Sequence, residues 1–370
     1  MTRAFAHLTT THRDKAPMQK RLIALLALGA GSLPAVAQTS GGVTLYGLLD
    51  TTIRYSTHED AAGDGRTQMT DGVLTGSRWG LRGTEDIGGG NKAWFILESG
   101  FSPDTGTSQQ GGRLFGRTAV IGLDGDYGKL ALGRQYTLAH ELLSSYESMA
   151  FANNSIVGYQ ANYTGLRYDN TIKYIKSFGG VQAAAAYTFG EVPGSIKSGS
   201  AAAGSLVYSS GPLEIGAVYQ QTQNVTTAFF GAVPAAQASK QTVWGLGGTW
   251  KAARAQYYLG YTNNRLDVAD YRNNVGYVGT RFNLTDALAF IGTFQYDWLR
   301  HAGQGGKRLT TAGMLDYNFS KRTDVYVEVD YTHLQGQWIA LNSSPAFVNS
   351  GNTYGNATRL GVMAGVRHKF

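Results

Sequence analysis

Side chains in an extended strand alternate between two faces, and a period of two runs through most of this chain. Over 43–55 the odd positions carry Val43, Leu45, Leu49, Ile53 and Tyr55, while Asp50 and Arg54 fall on even ones. Over 324–331, Val325, Val327, Val329 and Tyr331 alternate with Tyr326, Glu328 and Asp330. About sixteen such segments of about ten residues recur to the C-terminus, the length that crosses a bilayer when tilted. They begin near Val43, Leu74, Asn91, Arg113 and Gly128 and continue to one near Asn356. A long helical period is absent after Gln38; one short helix is expected around Ala139 to Ser148.

The connectors alternate in length. Short ones fall at 86–90, 125–127, 179–180, 211–212 and 321–323, and long ones at 56–73, 102–112, 138–166, 224–240 and 336–355. Short turns at one end and long loops at the other describe a transmembrane antiparallel β-barrel. A soluble sandwich also alternates, but here apolar faces end in aromatics, at Trp250, Tyr261, Phe282, Trp298 and Phe319. The opposite faces hold Gly, Thr, Tyr, Asp and Arg, too polar for a packed core and suited to a wet lumen. In lipid every backbone polar group must pair internally, and a closed barrel is the all-strand solution.

The first 37 residues read as an address. Lys20 and Arg21 precede an apolar run from Leu22 to Ala30, and Ala35-Val36-Ala37 closes it with small residues. This is the pattern of a secretory signal peptide over 18–37, with cleavage expected between Ala37 and Gln38. Met18 is the expected initiator, residues 1–17 an upstream extension, and 38–370 one barrel domain. The formal charge of +7 suggests nucleic acid, but five of the 32 basic residues and one of the 25 acids precede Gln38. That leaves 27 against 24 in the exported chain, and nucleic acid is not an expected partner. With no cysteine, disulfide frameworks, Cys-ligated zinc and thiol catalysis are excluded.

Several segments resemble the Gram-negative general porins, especially the β-proteobacterial type. They are the opening Val43-Thr44-Leu45-Tyr46-Gly47, the stretch from Ser77 to Asp86, Leu114-Phe115-Gly116-Arg117, Leu132-Gly133-Arg134-Gln135-Tyr136, and the final Gly365 to Phe370. The resemblance implies a sixteen-stranded barrel in the outer membrane, working as a homotrimer among phospholipid and lipopolysaccharide. It implies a third extracellular loop folded into the pore and passive diffusion of ions and small hydrophilic solutes. It also implies that Phe370 acts as a signal to the outer-membrane assembly machinery.

Alternation assigns faces to the charges. Trp79 and Leu81 take the lipid side, so Arg78 and Arg82 face the lumen; an Arg on the lipid face at mid-membrane costs about 2–4 kcal/mol. By similar parity Arg54, Asp50, Glu98, Arg117 and Arg167 point inward. The resemblance places Arg78, Arg117 and Arg167 on one wall of the constriction, and we group Arg54 and Arg82 with them. The loop from Leu138 to Leu166 is expected to bring Glu147, then Glu141, opposite that wall. Arg134 falls on the outer face with Leu130 and Leu132, which suits a subunit contact or a loop root better than lipid.

Catalytic and metal motifs are missing. His140-Glu141 starts like a zinc-protease motif, but position 144 is Ser. Asp124-Gly125-Asp126 lacks the spaced ligands of a calcium loop. No cofactor and no metal are expected. A general diffusion porin is the leading reading; a substrate-specific porin for sugars or anions stays open, with a barrel adhesin or enzyme behind it.

Overall fold

The computed structural model describes residues 42–71, 74–150, 163–224, 239–342 and 354–370. The leader and its cleavage point at Ala37 and Gln38 lie outside these residues. The strands are β1 (Val43–Ser56), β2 (Arg66–Asp71), β3 (Arg78–Gly88), β4 (Asn91–Ser102), β5 (Thr107–Ser108) and β6 (Thr118–Gly125). Then come β7 (Gly128–Tyr136), the helix α1 (Leu138–Ser145), β8 (Arg167–Phe178), β9 (Val181–Thr188), β10 (Ala201–Ser210) and β11 (Leu213–Gln223). The last are β12 (Lys240–Lys251), β13 (Ala255–Leu266), β14 (Arg272–Asn283), β15 (Leu288–His301), β16 (Gln304–Asn318), β17 (Thr323–Gly336), the helix α2 (Gln337–Asn342) and β18 (Thr358–Lys369).

All pairings are antiparallel between chain neighbours, and β18 closes the ring on β1 from Leu48↔Lys369 to Ser56↔Gly361. β2 and β3 pair with successive halves of β1, and β5 and β6 with successive parts of β4. Each of these two couples is one interrupted stave, so the eighteen segments make a closed barrel of 16 strands. The expected strand starts at Leu74 and Arg113 therefore fall a few residues ahead of β3 and β6, in the breaks of the two staves. Leu74 to Ser77 leaves the wall instead, with Leu74 buried beside Met149 and Met363 and Ser77 Oγ accepting the Asp50 N–H at 3.0 Å.

The walls show the two-sided chemistry that the alternation requires. On β13–β16 the residues facing lipid include Tyr257, Leu259, Val278, Phe282, Phe290, Phe294, Trp298 and Leu315, all exposed. Their neighbours along the same strands, Asn264, Asn273, Gln295, Asp297, Arg308 and Thr310, are buried on the inside. Leu246, Leu259, Val278, Val327 and Val329 form an apolar band between aromatic rows, with Trp244 and Trp298 toward the long loops and Trp250, Tyr257, Phe282 and Tyr317 toward the short turns. Lipid contact explains an exposed apolar surface that water would penalise.

The short-turn end is tight. Gly88, Gly89 and Gly90 turn β3 into β4 with φ of +87°, +62° and +79°, a region where a Cβ is penalised. At the seam, Gly47 and Phe370 exchange backbone hydrogen bonds of 3.0 and 3.1 Å, and the Phe370 ring covers Gly47 where a Cβ would otherwise lie.

Candidate pore constriction

One stretch of inner wall gathers the arginines. Glu98 on β4 points inward, its Oε1 accepting Arg117 Nε at 2.7 Å and its Oε2 accepting the Tyr46 hydroxyl at 3.0 Å. Arg117 sits just ahead of β6, where its N–H still reaches the Glu98 carbonyl at 3.1 Å. Arg78 pairs across the sheet with Gly100, where the side chains of Gln110 and Arg117 fill the space a Cβ would take. Arg78 Nε donates to the Gly76 carbonyl at 2.9 Å. Arg167 opens β8 and lies over the Tyr136 ring, 4.1 Å from its centroid. The Tyr136 hydroxyl accepts from Arg117 Nη2 at 3.1 Å and also from Arg167 Nη2. Arg78, Arg117 and Arg167 thus share one patch of wall, tied by Glu98 and Tyr136. Arg82 extends the patch along β3, exposed, with its guanidinium 5.3 Å from the Tyr46 ring.

Tyr136 organises this patch, and sequence reasoning did not single it out. The available signal was its place at the end of the Leu132–Tyr136 segment, next to the loop. Its ring also stacks on His140 of α1, with centroids 4.9 Å apart and planes 13° off parallel. Its carbonyl accepts Lys173 Nζ at 2.8 Å, and the same ammonium pairs with Glu141 at 2.8 Å. Burial, then the Arg167, Arg117 and Lys173 cations, push the His140 imidazole down to about 3. The ring is neutral at ordinary pH and adds no charge to the patch.

Across the lumen lies the loop after β7. Thr137 caps α1, its Oγ1 accepting the His140 N–H at 3.1 Å. Leu138, Ala139, Leu142, Leu143 and Tyr146 are buried against the inner face of β10–β14. That face is cut away by glycines. A Cβ on Gly216 would meet Tyr146 Oη at 2.5 Å, one on Gly245 would meet Leu143 Cδ2 at 2.5 Å, and one on Gly247 would meet Tyr146 Cδ2 at 2.8 Å. Ser148 covers Gly279 in the same way, and its hydroxyl donates to the Gly292 carbonyl at 2.7 Å. The returning limb is held by Gln241 and Gln220, which donate to the Tyr163 and Thr164 carbonyls at 3.1 and 2.9 Å. Tyr163 itself donates to Asp297 at 2.7 Å. The inward-folded loop expected over Leu138 to Leu166 is therefore present at both ends; residues 151–162 lie outside the described ones.

The loop acids and Arg54 differ from expectation. Glu147 is 3% exposed and its Oε2 accepts the Met149 N–H at 3.0 Å, so it stabilises the turn after α1 rather than offering a carboxylate to open water. Glu141 is taken by Lys173. Arg54 stands apart from the arginine patch in a buried pair with Asp330 at 2.6 Å, because β1 meets β18 there and Arg54 reaches β17 over Gly361. The remaining inner wall is similarly matched: Arg367 with Asp324 at 2.8 Å, Arg281 with Asp316 at 3.5 Å, Arg308 with Asp297 at 3.3 Å, and Arg359 with Glu59. Asp50 faces inward as parity requires, accepting from Tyr326 at 2.6 Å and Thr75 at 2.7 Å. The patch around Glu98 is richer in cations: Arg78, Arg82, Arg117 and Arg167 stand there, and the Glu98 carboxylate pairs with Arg117.

Arg134 lies at a loop root. It pairs with Asp169 at 2.6 Å and donates to the Gly116 carbonyl at 2.7 Å, and Arg113 joins the same carboxylate at 2.7 Å. These partners meet the cost of an outward arginine at the rim.

A family model described as Gram-negative porin matches residues 24–337. An outer membrane porin protein of Bordetella pertussis is 36% identical over 272 residues, covering 66% of this chain and 69% of the relative. Outer membrane porin protein 32 of Delftia acidovorans is 30% identical over 376 residues, covering 95% of this chain and all of the relative (100%). Among solved structures, an anion-selective porin from Comamonas acidovorans superposes with a TM-score of 0.73 at 26% identity, covering 89% of this chain and 100% of that one. These relatives are channels of the outer membrane, not enzymes. A closed barrel, an inward loop and an arginine patch are joined here by a family match over most of the chain, which belongs to the Gram-negative porins.

Proposed function

We propose that this porin is a general diffusion channel for ions and small hydrophilic solutes, that it favours anions, and that it works as a homotrimer. One observation carries the anion preference: Arg78, Arg82, Arg117 and Arg167 stand in one patch with the carboxylate of Glu98, which pairs with Arg117, while Asp330, Asp316, Asp297 and Asp324 elsewhere on the inner wall each pair with an arginine. An anion passing the patch gains attraction from the uncompensated guanidinium groups, and a cation is repelled. The similar porin from Comamonas acidovorans is anion-selective, which supports the same sign. Work at the constriction is physical: polar solutes exchange hydrogen bonds with Arg, Tyr and loop groups as they shed water, and no bond is made or broken.

The test is planar-bilayer recording with a salt gradient across the membrane. A step-like conductance with a reversal potential of anion sign is expected. A cation-signed potential sinks the preference, and a silent bilayer with correctly folded protein sinks the channel. Conductance blocked by one sugar at low concentration favours a substrate-specific channel. We also read residues 18–37 as a cleaved signal peptide, and Phe370 as the mark read by the assembly machinery. Unchanged heat-stability of the trimer on gels in Arg134→Ala removes Arg134 from the subunit contact and leaves it the loop-root role.

A further inference from the structure

Asp50 departs from the pattern of the other inner-wall acids. Arg367 stands directly opposite it on β18. Arg78 lies diagonal to it on β3, because β3 meets β1 as Leu48↔Arg78 and Asp50 is two residues further along. Long side chains reach both kinds of neighbour across a sheet. Asp330, Asp324, Asp316 and Asp297 each take an arginine in this way. Asp50 is fully buried, yet among the described residues no cation pairs with it. A buried carboxylate needs donors, and Asp50 finds neutral ones: the Tyr326 hydroxyl at 2.6 Å and the Thr75 N–H at 2.7 Å.

The second donor belongs to segment 74–77, which leaves the wall between β2 and β3 and stands between the acid and both arginines. Thr75 gives its N–H to Asp50, and its Oγ1 accepts Arg367 Nη1 at 3.2 Å. The carbonyl of the next residue, Gly76, accepts Arg78 Nε at 2.9 Å. Two consecutive residues thus supply a donor to the anion and an acceptor to each cation, three groups that would otherwise satisfy one another. The segment is fixed at both ends. Leu74 is buried with Met314, Tyr326 and Met363. Ser77 Oγ accepts the Asp50 N–H at 3.0 Å, and the Ser77 carbonyl accepts the Phe101 N–H at 3.2 Å. Arg367 keeps Asp324 at 2.8 Å as its counter-charge, whereas Arg78 makes no ion pair among the described residues.

We propose that segment 74–77 is a spacer that keeps Arg78 from pairing with Asp50, and that Thr75 and Gly76 are positioning residues for ion sorting. The proposal rests on the reading of the arginine patch as the site of anion preference. An ion pair with Asp50 would draw the Arg78 guanidinium back onto β1 and leave a nearly neutral couple in its place. The spacer meets each charge with a backbone dipole instead, so the guanidinium stays in the patch and acts on passing ions. This gives the broken stave a purpose: an unbroken one would leave Asp50 and Arg78 as bare neighbours on the inner face.

Reversal potentials across a salt gradient test it. Thr75→Pro removes the N–H that Asp50 accepts, and in about 0.1 M salt it lowers the anion-to-cation permeability ratio roughly twofold, approaching the loss of one guanidinium. Asp50→Asn raises the ratio more in the Thr75→Pro background than in wild type, because there it also releases Arg78; that excess is the coupling a double-mutant cycle reads. Should Thr75→Pro not fold, Ser77→Ala loosens the spacer from β1 and shifts the ratio in the same direction by a smaller factor. Equal effects of Asp50→Asn in both backgrounds overturn the proposal. Arg78→Gln separates it from the reading beneath it. An unchanged ratio in Arg78→Gln removes Arg78 from the sorting patch and overturns both. A lowered ratio in Arg78→Gln beside an unchanged one in the spacer variants overturns the spacer alone.

Discussion

Arg167→Gln removes one guanidinium from the constriction without leaving a carboxylate stranded, because Glu98 keeps Arg117 and the Tyr46 hydroxyl. A guanidinium about 7 Å from a passing ion is worth roughly 0.6 kcal/mol in water, and screening in 0.1 M salt halves that to about 0.3 kcal/mol. The anion gains this and the cation loses it, so deleting the charge lowers the anion-to-cation permeability ratio about 2.7-fold. In 1 M salt the Debye length is about 3 Å, and the same deletion changes the ratio by only about 1.2-fold. Glu98→Gln is the mirror experiment, raising the ratio by a similar factor as the patch loses its one carboxylate. Reversal potentials across a salt gradient, measured at both salt levels with matched single-channel conductance, read the two shifts. Opposite signs for the two variants and attenuation at high salt are required together. A shift of the same sign in both variants, or one that persists undiminished in 1 M salt, refutes the electrostatic reasoning and points to loop movement instead.

Gly247→Val and Gly245→Val put methyl groups where Tyr146 and Leu143 now rest, costing about 1–3 kcal/mol of overpacking or moving α1 into the lumen. Single-channel conductance falls in both, while Gly276→Ala, whose nearest neighbour is Trp298 at 3.7 Å, leaves it unchanged. Phe370→Ala exposes Gly47 at the seam; with the ring 47% exposed, about 1–2 kcal/mol is lost, read as a lower thermal midpoint of the folded barrel. His140, held near 3 in the fold against an ordinary 6.5, binds its proton first in the unfolded chain. Its contribution is complete above pH 6.5 and erodes as pH falls toward 3. The thermal midpoint therefore declines with acidification over that window, and His140→Gln flattens the decline; an unchanged slope rules the assignment out.

Strand parity was legible because it is a local property: Asp50, Glu98 and Arg78 each sit among near neighbours whose polarity declares the face. The short helix near Ala139 was legible for the same reason, and emerged as Leu138–Ser145. What parity cannot report is which strand lies alongside. Arg54 has the inward face in common with Arg78, yet its partner Asp330 is 276 residues away, brought close by the closing of β18 on β1. Strands were expected from Leu74 and Arg113 because the segments ahead of β3 and β6 are rich in glycine, serine and apolar residues that fit a wall equally well, and β2 and β5 lie inside what read as long connectors. Glu147 was expected as a pore acid from the resemblance of its loop to the porin family's, whereas the turn after α1 uses it to accept a backbone N–H. The spacer at 74–77 was invisible until register placed Arg78 and Arg367 beside Asp50.

The glycine-cut inner face separates two quantities that a channel would otherwise have to change together. Aperture depends on how deeply α1 sinks into β11, β12 and β14, and that depth is set from behind, by the absence of a Cβ at Gly216, Gly245, Gly247 and Gly279. Charge depends on β3, β4, β6 and β8, on the opposite side of the water. A single methyl added to the far wall narrows the opening and reaches the guanidinium groups through the stack of His140 on Tyr136, and an arginine exchanged on the near wall retunes the field with the far wall unchanged. Sieving by size and sorting by charge are therefore set by different residues and meet at that stack.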